Sequence, residues 1–244
     1  MDNNKVNKVN KDNIDIFICT HINYNLPVTN DAYKLISCGS NPIEGAIMDN
    51  TGDNISRLNG FYCELTGIYW VWKNWDLKDY VGFCHYRRYF EFLDNVPNMD
   101  EENCDVIILN PIKLTKPMRE MYEEWHNIED LDLVVDIAKY KYGVYHNETL
   151  TTDLFNARNM FIMNKDLFNE YCEFLFGVLN DYCTRKGIKS MVDVYCQVLS
   201  NPKYGDTNRY KHQARIGGFL AERLMQIWVN WKKLNIKTIN CEYA

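Results

Sequence analysis

The sequence predicts an α/β fold with a mostly parallel central sheet flanked by helices, and three observations carry that prediction. Apolar runs of strand length fall at residues 15–21, 80–84, 104–111 and 155–164. Between them lie segments with apolar residues at three- and four-residue spacing, and helices alternating with strands build parallel sheets. At 244 residues the chain is long enough to bury one large core.

In chain order, residues 1–13 are polar and rich in Asn and Lys, and read as a disordered leader to a domain spanning 14–244. Asp15-Ile16-Phe17-Ile18-Cys19-Thr20-His21 is a first buried strand ending in two polar side chains. Thr20 and His21 are either nucleotide contacts at its carboxyl end or the start of a surface loop. Residues 23–60 show little periodicity and many turn residues, the pattern of a long functional or disordered loop. Within it, Asp53 and Asn54 belong to a stretch dense in groups that bind sugar hydroxyls, although turns use the same residues. Phe61, Leu65, Ile68, Trp72 and Trp75 mark one face of a helix over 61–75. Glu64, in its first turn, either caps the helix or faces a site.

The strand at Tyr80 runs directly into His85-Tyr86-Arg87-Arg88. Ligands of open α/β sheets bind beyond the carboxyl ends of the strands. Two adjacent guanidiniums there suit a phosphate, since the planar fork matches its oxygens and stays charged. The alternative is a strand end whose arginines pair with some of the 33 Asp and Glu residues, Glu64 among the candidates.

Farther on, Pro111 stops the strand at 104–111, and a helix is predicted over 118–140. In it His126 and Asp130 lie four apart, as an acid–base or substrate-binding pair or as an ordinary surface contact. Residues 141–153 read as a polar connection. The strand at 155–164 carries Asn156 and Arg158 near its start. A helix over 166–179 follows, then a mixed stretch, 181–210, with a short helix at 191–199. A final helix after Gly217-Gly218 ends near Trp231 and carries Glu222.

Composition narrows the function classes. A content of 46% hydrophobic and 14% aromatic residues is that of a globular protein, and a net charge of −6 argues against nucleic acid as partner. That charge still allows a local basic pocket. Nine scattered cysteines, odd in number and without a C-x-x-C pair, argue against zinc and a disulfide framework and for a reducing, cytoplasmic location. No signal-type apolar stretch opens the chain, and no apolar run reaches the ~18 residues of a membrane span. Peripheral contact with a membrane stays open.

Several motifs together resemble one family. They are Asp53-Asn54-Ile55-Ser56, Tyr62-Cys63-Glu64-Leu65-Thr66 with Tyr69-Trp70-Val71-Trp72-Lys73-Asn74, and His85-Tyr86-Arg87-Arg88-Tyr89-Phe90. Asn159-Met160-Phe161-Ile162-Met163 and Gly218-Phe219-Leu220-Ala221-Glu222-Arg223-Leu224 complete the set. The family is a microbial and large-virus domain of unknown function, assigned to glycosyl transfer and often found in capsular or exopolysaccharide gene sets. The resemblance covers roughly residues 14–240. It implies a single-domain, GT-A-like nucleotide-sugar transferase fold. It also implies a nucleotide-sugar donor, UDP-linked first among them, and a glycan or lipid-linked acceptor.

In many GT-A enzymes a helix leads into a strand ending Asp-x-Asp, which holds a divalent metal against the diphosphate. Here His85-Tyr86-Arg87 stands in that place, so no cofactor is expected, and dependence on manganese or magnesium is put in doubt. Glycosyl transfer needs the leaving diphosphate stabilised, and Arg87 and Arg88 with help from His85 are expected to do this. Asn156 and Arg158 would contact sugar or phosphate, and Asp53 and Asn54 donor hydroxyls. Glu222 is the first candidate for the catalytic base, ahead of Asp130 and His126; it is equally a helix residue paired to Arg223 or Arg215. The rival classes are a non-catalytic carbohydrate- or nucleotide-binding module of a glycan-assembly complex and a nucleoside-phosphate hydrolase. The hydrolase lacks P-loop or metal-hydrolase spacing.

Overall fold

The computed structural model describes residues 13–39, 42–204 and 209–243; the expected leader, up to residue 12, lies outside them. The strands are β1 (Ile14–Thr20), β2 (Tyr33–Ser37), β3 (Ile47–Met48), β4 (Tyr80–His85), β5 (Arg88–Phe90) and β6 (Val106–Leu109). They continue as β7 (Ile112–Lys113), β8 (Leu154–Phe155), β9 (Phe161–Asn164), β10 (Ile236–Ile239) and β11 (Cys241–Tyr243). The helices are α1 (Asn59–Tyr62), α2 (Leu65–Asn74), α3 (Met118–Trp125), α4 (Ile128–Tyr142) and α5 (Asn147–Thr151). α6 (Lys165–Lys186), α7 (Met191–Ser200), α8 (Tyr210–Gln213) and α9 (Ile216–Lys232) complete them.

The main sheet runs in the order β10-β6-β9-β4-β1-β2-β3. β1 is parallel to both β2 and β4, β2 to β3, and β6 to β10, whereas β9 runs against β4 and β6. This is the expected single α/β domain with a mostly parallel central sheet. Alternate residues of its strands serve two cores. Phe17, Phe83, Ile108, Phe161 and Met163 face the helices, against Leu65, Leu131, Leu175 and Leu224. Ile16, Ile18, Cys84, Ile107 and Ile162 face the opposite way, where Val28, Tyr89, Phe90 and Val96 cover them. Burial on both faces is why these strands read as continuous apolar runs and not as alternating ones.

Several boundaries differ from the sequence reading, each for a physical reason. The loop expected over 23–60 contains β2, which pairs with β1, and β3, which pairs with β2; such pairing across the chain leaves little periodic signal. The helix expected over 61–75 is broken at Cys63, where φ is +54°. The helix expected over 118–140 ends at Trp125 and restarts at Ile128, with the Asn127 side chain accepting from Glu129 N–H as a new cap. The polar connection 141–153 includes α5. The strand expected over 155–164 is strand only at Phe155 and from Phe161 onward, with a turn between. α6 continues to Lys186, until Gly187 caps it at φ +68°. After His85 the chain does turn: Tyr86-Arg87 reverse it, and Arg88 opens β5 opposite His85.

One close approach sets the site. A Cβ on Gly217 would lie 2.6 Å from Phe61 Cε1 and 3.1 Å from the Phe61 carbonyl oxygen, so only glycine lets α9 pack this tightly on α1. Among the described residues no helix is long and apolar enough to cross a membrane.

Candidate active site

β1 and β4 are parallel neighbours with Cys19 opposite His85, so their carboxyl ends open on the same edge. β2 and β3 lie to one side of β1 and β4 to the other. That switch in strand order is where open α/β sheets leave a ligand crevice. A cleft of about 610 Å³ occupies it, and its walls include Thr20, His21, Glu64, His85, Arg87, Arg88, Arg158, Lys211, Arg215 and Glu222. Four arginines and a lysine thus surround two carboxylates, in a chain of net charge −6. Among the described residues the arginine ion pairs are Arg119–Asp132, Arg185–Asp181 and Arg223–Glu222, and none involves a cleft cation. Arg88 Nε is buried without a hydrogen-bond partner. Among the described residues Arg87 and Arg88 make no ion pair with a carboxylate.

Glu222 comes from the first half of α9, and 16% of its side chain is exposed. Its Oε1 accepts from the Arg158 N–H at 2.6 Å, and its Oε2 from Arg223 Nη1 at 2.8 Å. Arg223 is itself buried between Phe155 and Tyr122, its guanidinium 4.2 Å and 5.1 Å from their ring centres. Burial raises the Glu222 pKa above the ordinary glutamate value, and Glu64 adds to the rise. Arg223, the Arg158 N–H and His85 oppose it. Of the two readings of Glu222, cleft residue and Arg223 partner, the structure realises both.

Glu64 does not cap α2 with its side chain. Asn159 Nδ2 donates to Glu64 Oε1 at 2.7 Å, so the suggested arginine partner is absent among the described residues. Arg158 lies in the turn between β8 and β9 at φ +87°, followed by Asn159 at φ +48°. His85 Nε2–H donates to the Arg158 carbonyl at 2.6 Å. Arg87 lies 4.9 Å from the centre of the Tyr86 ring. Thr20 Oγ1 donates to the Ile22 carbonyl at 2.6 Å, a local turn that fixes the exit from β1. His21 sits edge-on to Tyr86; burial lowers its pKa, with Arg87 and Arg215 adding to the effect.

Five other candidates do not line this cleft. Tyr69 Oη donates to Asp53 Oδ1 on the flank of α2, and Asn54 donates to the Gly52 carbonyl within its own turn. Asn156 Nδ2 donates to the Leu109 carbonyl, tying the turn to β6. His126 and Asp130 are parted by the break between α3 and α4. His126 packs on Phe219 and contacts Gln213, while Asp130 accepts from Tyr182 and pairs with Lys186. Both are buried structural contacts.

Other groups in or beside the cleft were not proposed as site residues from the sequence. Arg215 Nε donates to Cys63 Sγ at 3.1 Å, where the α1–α2 break meets the start of α9. Burial pushes the Cys63 pKa up to about 12, with Glu64 adding to the rise, so it is a thiol at neutral pH and a poor nucleophile. Tyr195 and Lys211 line the mouth. Tyr243, on β11, pairs opposite Arg88 and accepts from Arg158 Nη2 at 2.8 Å. Proximity to Gly217-Gly218 was a signal for Arg215; none marks Tyr243, whose partners lie far away in sequence.

The donor set bears on a metal as well. Among the described residues no group of three His, Cys, Asp or Glu side chains is placed to hold a metal ion, and Glu222 and Glu64 each accept a hydrogen bond.

The fold is similar to the apo structure of the bifunctional glycosyltransferase WbbM, with a TM-score of 0.78 and 26% sequence identity. The match covers 95% of this chain and 45% of that one, so this chain spans about half that structure's length. No curated protein matches. A family model matches residues 15–233, nearly the whole chain, and the protein belongs to that family, the domain of unknown function DUF4422.

Proposed function

We propose that the chain is a glycosyltransferase of hexosyltransferase type. It moves a sugar from a nucleotide-diphosphate sugar, a UDP-sugar first among them, to a glycan or lipid-linked acceptor in surface polysaccharide synthesis. The observation that carries this reading is a set of cations, without ion pairs among the described residues, beside a cleft-facing glutamate at the carboxyl ends of β1 and β4. The likeness to WbbM supports it. Nine free cysteines support a cytoplasmic location.

In this mechanism Glu222 takes the proton of the acceptor hydroxyl while the hydroxyl oxygen attacks the anomeric carbon. The bond from that carbon to the diphosphate oxygen breaks, and the charge developing on the diphosphate is met by Arg87 and Arg88, with Arg158 and Arg215 in support. Thr20 and His21 contact the nucleotide. A raised pKa makes Glu222 a better proton acceptor, and Arg223 opposes the rise that its burial causes. The mechanism proposed here gives the diphosphate charge to the Arg87 and Arg88 guanidiniums and routes no step through a metal.

A thermal-shift screen against sugar nucleotides, in EDTA and in manganese, tests this. A ligand at ~100 times its dissociation constant adds ~2.7 kcal/mol of stability. The expected result is a shift with one sugar nucleotide that survives EDTA, followed by turnover of that donor. A shift that needs manganese overturns the cation mechanism. Binding without turnover against an acceptor panel makes the non-catalytic module the better reading.

A further inference from the structure

We propose that His85 and Glu222 form a clamp on the Arg158 peptide, which makes His85 a positioning residue for Arg158 and not itself a ligand of the diphosphate. This rests on the donor-site reading above and deepens it. The Arg158 main chain is held at both ends: its N–H donates to Glu222 Oε1 and its carbonyl accepts from His85 Nε2–H, each at 2.6 Å. The residue so held stands at φ +87°, a region that residues with a Cβ avoid and keep only where their surroundings over-determine it. The next residue, Asn159, is also left-handed and is tied to Glu64 Oε1 and the Gly218 carbonyl. Four contacts from β4, α9 and the start of α2 therefore fix a two-residue turn.

The clamp determines where the guanidinium goes. Arg158 Nη2 donates to Tyr243 Oη, and the Arg158 guanidinium lies 5.6 Å from the centre of that ring. The Arg88 guanidinium lies 5.9 Å from the same ring, because Tyr243 and Arg88 are directly opposite across β11 and β5. Two cations that make no carboxylate ion pair among the described residues thus lie against one tyrosine, and like charges held together favour an anion bound between them. An extended dianion such as a pyrophosphate group has the charge and the spaced oxygens to bridge the two. With its Nε2–H committed to the Arg158 carbonyl, His85 acts through Arg158.

The test is isothermal titration of the whole chain with UDP, GDP and inorganic pyrophosphate in EDTA. Arg158→Ala should weaken binding about tenfold to a hundredfold, the factor carried by a hydrogen bond to a charged group. His85→Ala should weaken it similarly, and the double variant should bind no more weakly than Arg158→Ala alone. His85→Gln, which presents a side-chain N–H at similar reach, should recover most of the affinity. A merely structural histidine would not show this non-additivity or this rescue. Should His85→Ala fail to fold, His85→Phe fills the volume without the N–H and is used in its place. Unchanged binding in the His85 variants, or losses that add to that of Arg158→Ala, overturns the clamp while leaving the donor site standing. If the wild-type chain binds none of the three ligands, the donor-site reading falls and the clamp with it.

Discussion

Two polar regions of this molecule use the same residue types to opposite ends. Between α3, α4 and α6, Asp130 is buried, accepts from Tyr182 Oη at 2.8 Å and pairs with Lys186 at 2.9 Å. His126 is buried nearby, stacked 4.2 Å from Phe219 with Nδ1–H donating to Gln213 Oε1 at 3.0 Å. There the buried polar groups find partners within the protein, as burial demands. At the carboxyl ends of β1 and β4, Arg87, Arg88, Arg158 and Arg215 surround a cleft, and none of the four makes an ion pair among the described residues, although Arg215 feels the fields of Glu64 and Glu222. The lesson is that residue type does not mark a site. Charge that the fold gathers and leaves without an ion pair does.

That contrast can be broken in three ways. The largest effect should come from Arg87→Ala with Arg88→Ala. Activity should fall on the order of a hundredfold to a thousandfold, as when a preorganised electrostatic group is removed, with unfolding free energy within about 0.5 kcal/mol of wild type. Steady-state kinetics and urea unfolding on one preparation check both halves, and a large stability loss would mean that the arginines are structural.

The second prediction concerns pH. Burial, the largest cause, holds the His126 pKa down at about 4, below its ordinary 6.5. Between those values the unfolded chain binds a proton that the folded chain refuses, so stability falls as pH drops from 6.5 to 4, by up to about 3 kcal/mol. Glu222 has the opposite sign: its folded pKa is raised, so its contribution declines as pH rises through the window above the ordinary glutamate value of 4.5. Urea unfolding from pH 4.5 to 7 should show a flatter acid limb in His126→Phe, and loss of the opposing slope in Glu222→Gln. Unchanged limbs would refute both assignments. The smallest effect belongs to Asp130→Asn, about 1–3 kcal/mol of stability with nucleotide affinity unchanged within about twofold. A loss of affinity there would tie the two regions together.

What could be read from the sequence was what neighbouring residues settle between themselves. The apolar runs around Phe17, Phe83 and Ile107 announce buried strands because each residue needs only a hydrophobic face to lie against. His85-Tyr86-Arg87-Arg88 announces a basic strand end for the same local reason, and Gly217-Gly218 before Glu222 marks the helix that reaches the cleft. β2, β10 and β11 were missed because they are only partly buried, carry no continuous apolar run and owe their existence to partners elsewhere in the chain.

The chain by itself therefore determined a layered α/β domain, a cationic strand end and a glutamate on the last long helix. Tertiary structure alone decided which charges meet. It gave Glu64 to Asn159 and not to an arginine, withdrew Asp130 and His126 into the core, and set Arg158 beside Arg88 on Tyr243. The physical reason is that helix and strand propensities act over a few residues. Ion pairing and desolvation depend instead on which of many equivalent side chains the packed chain brings within a few ångströms.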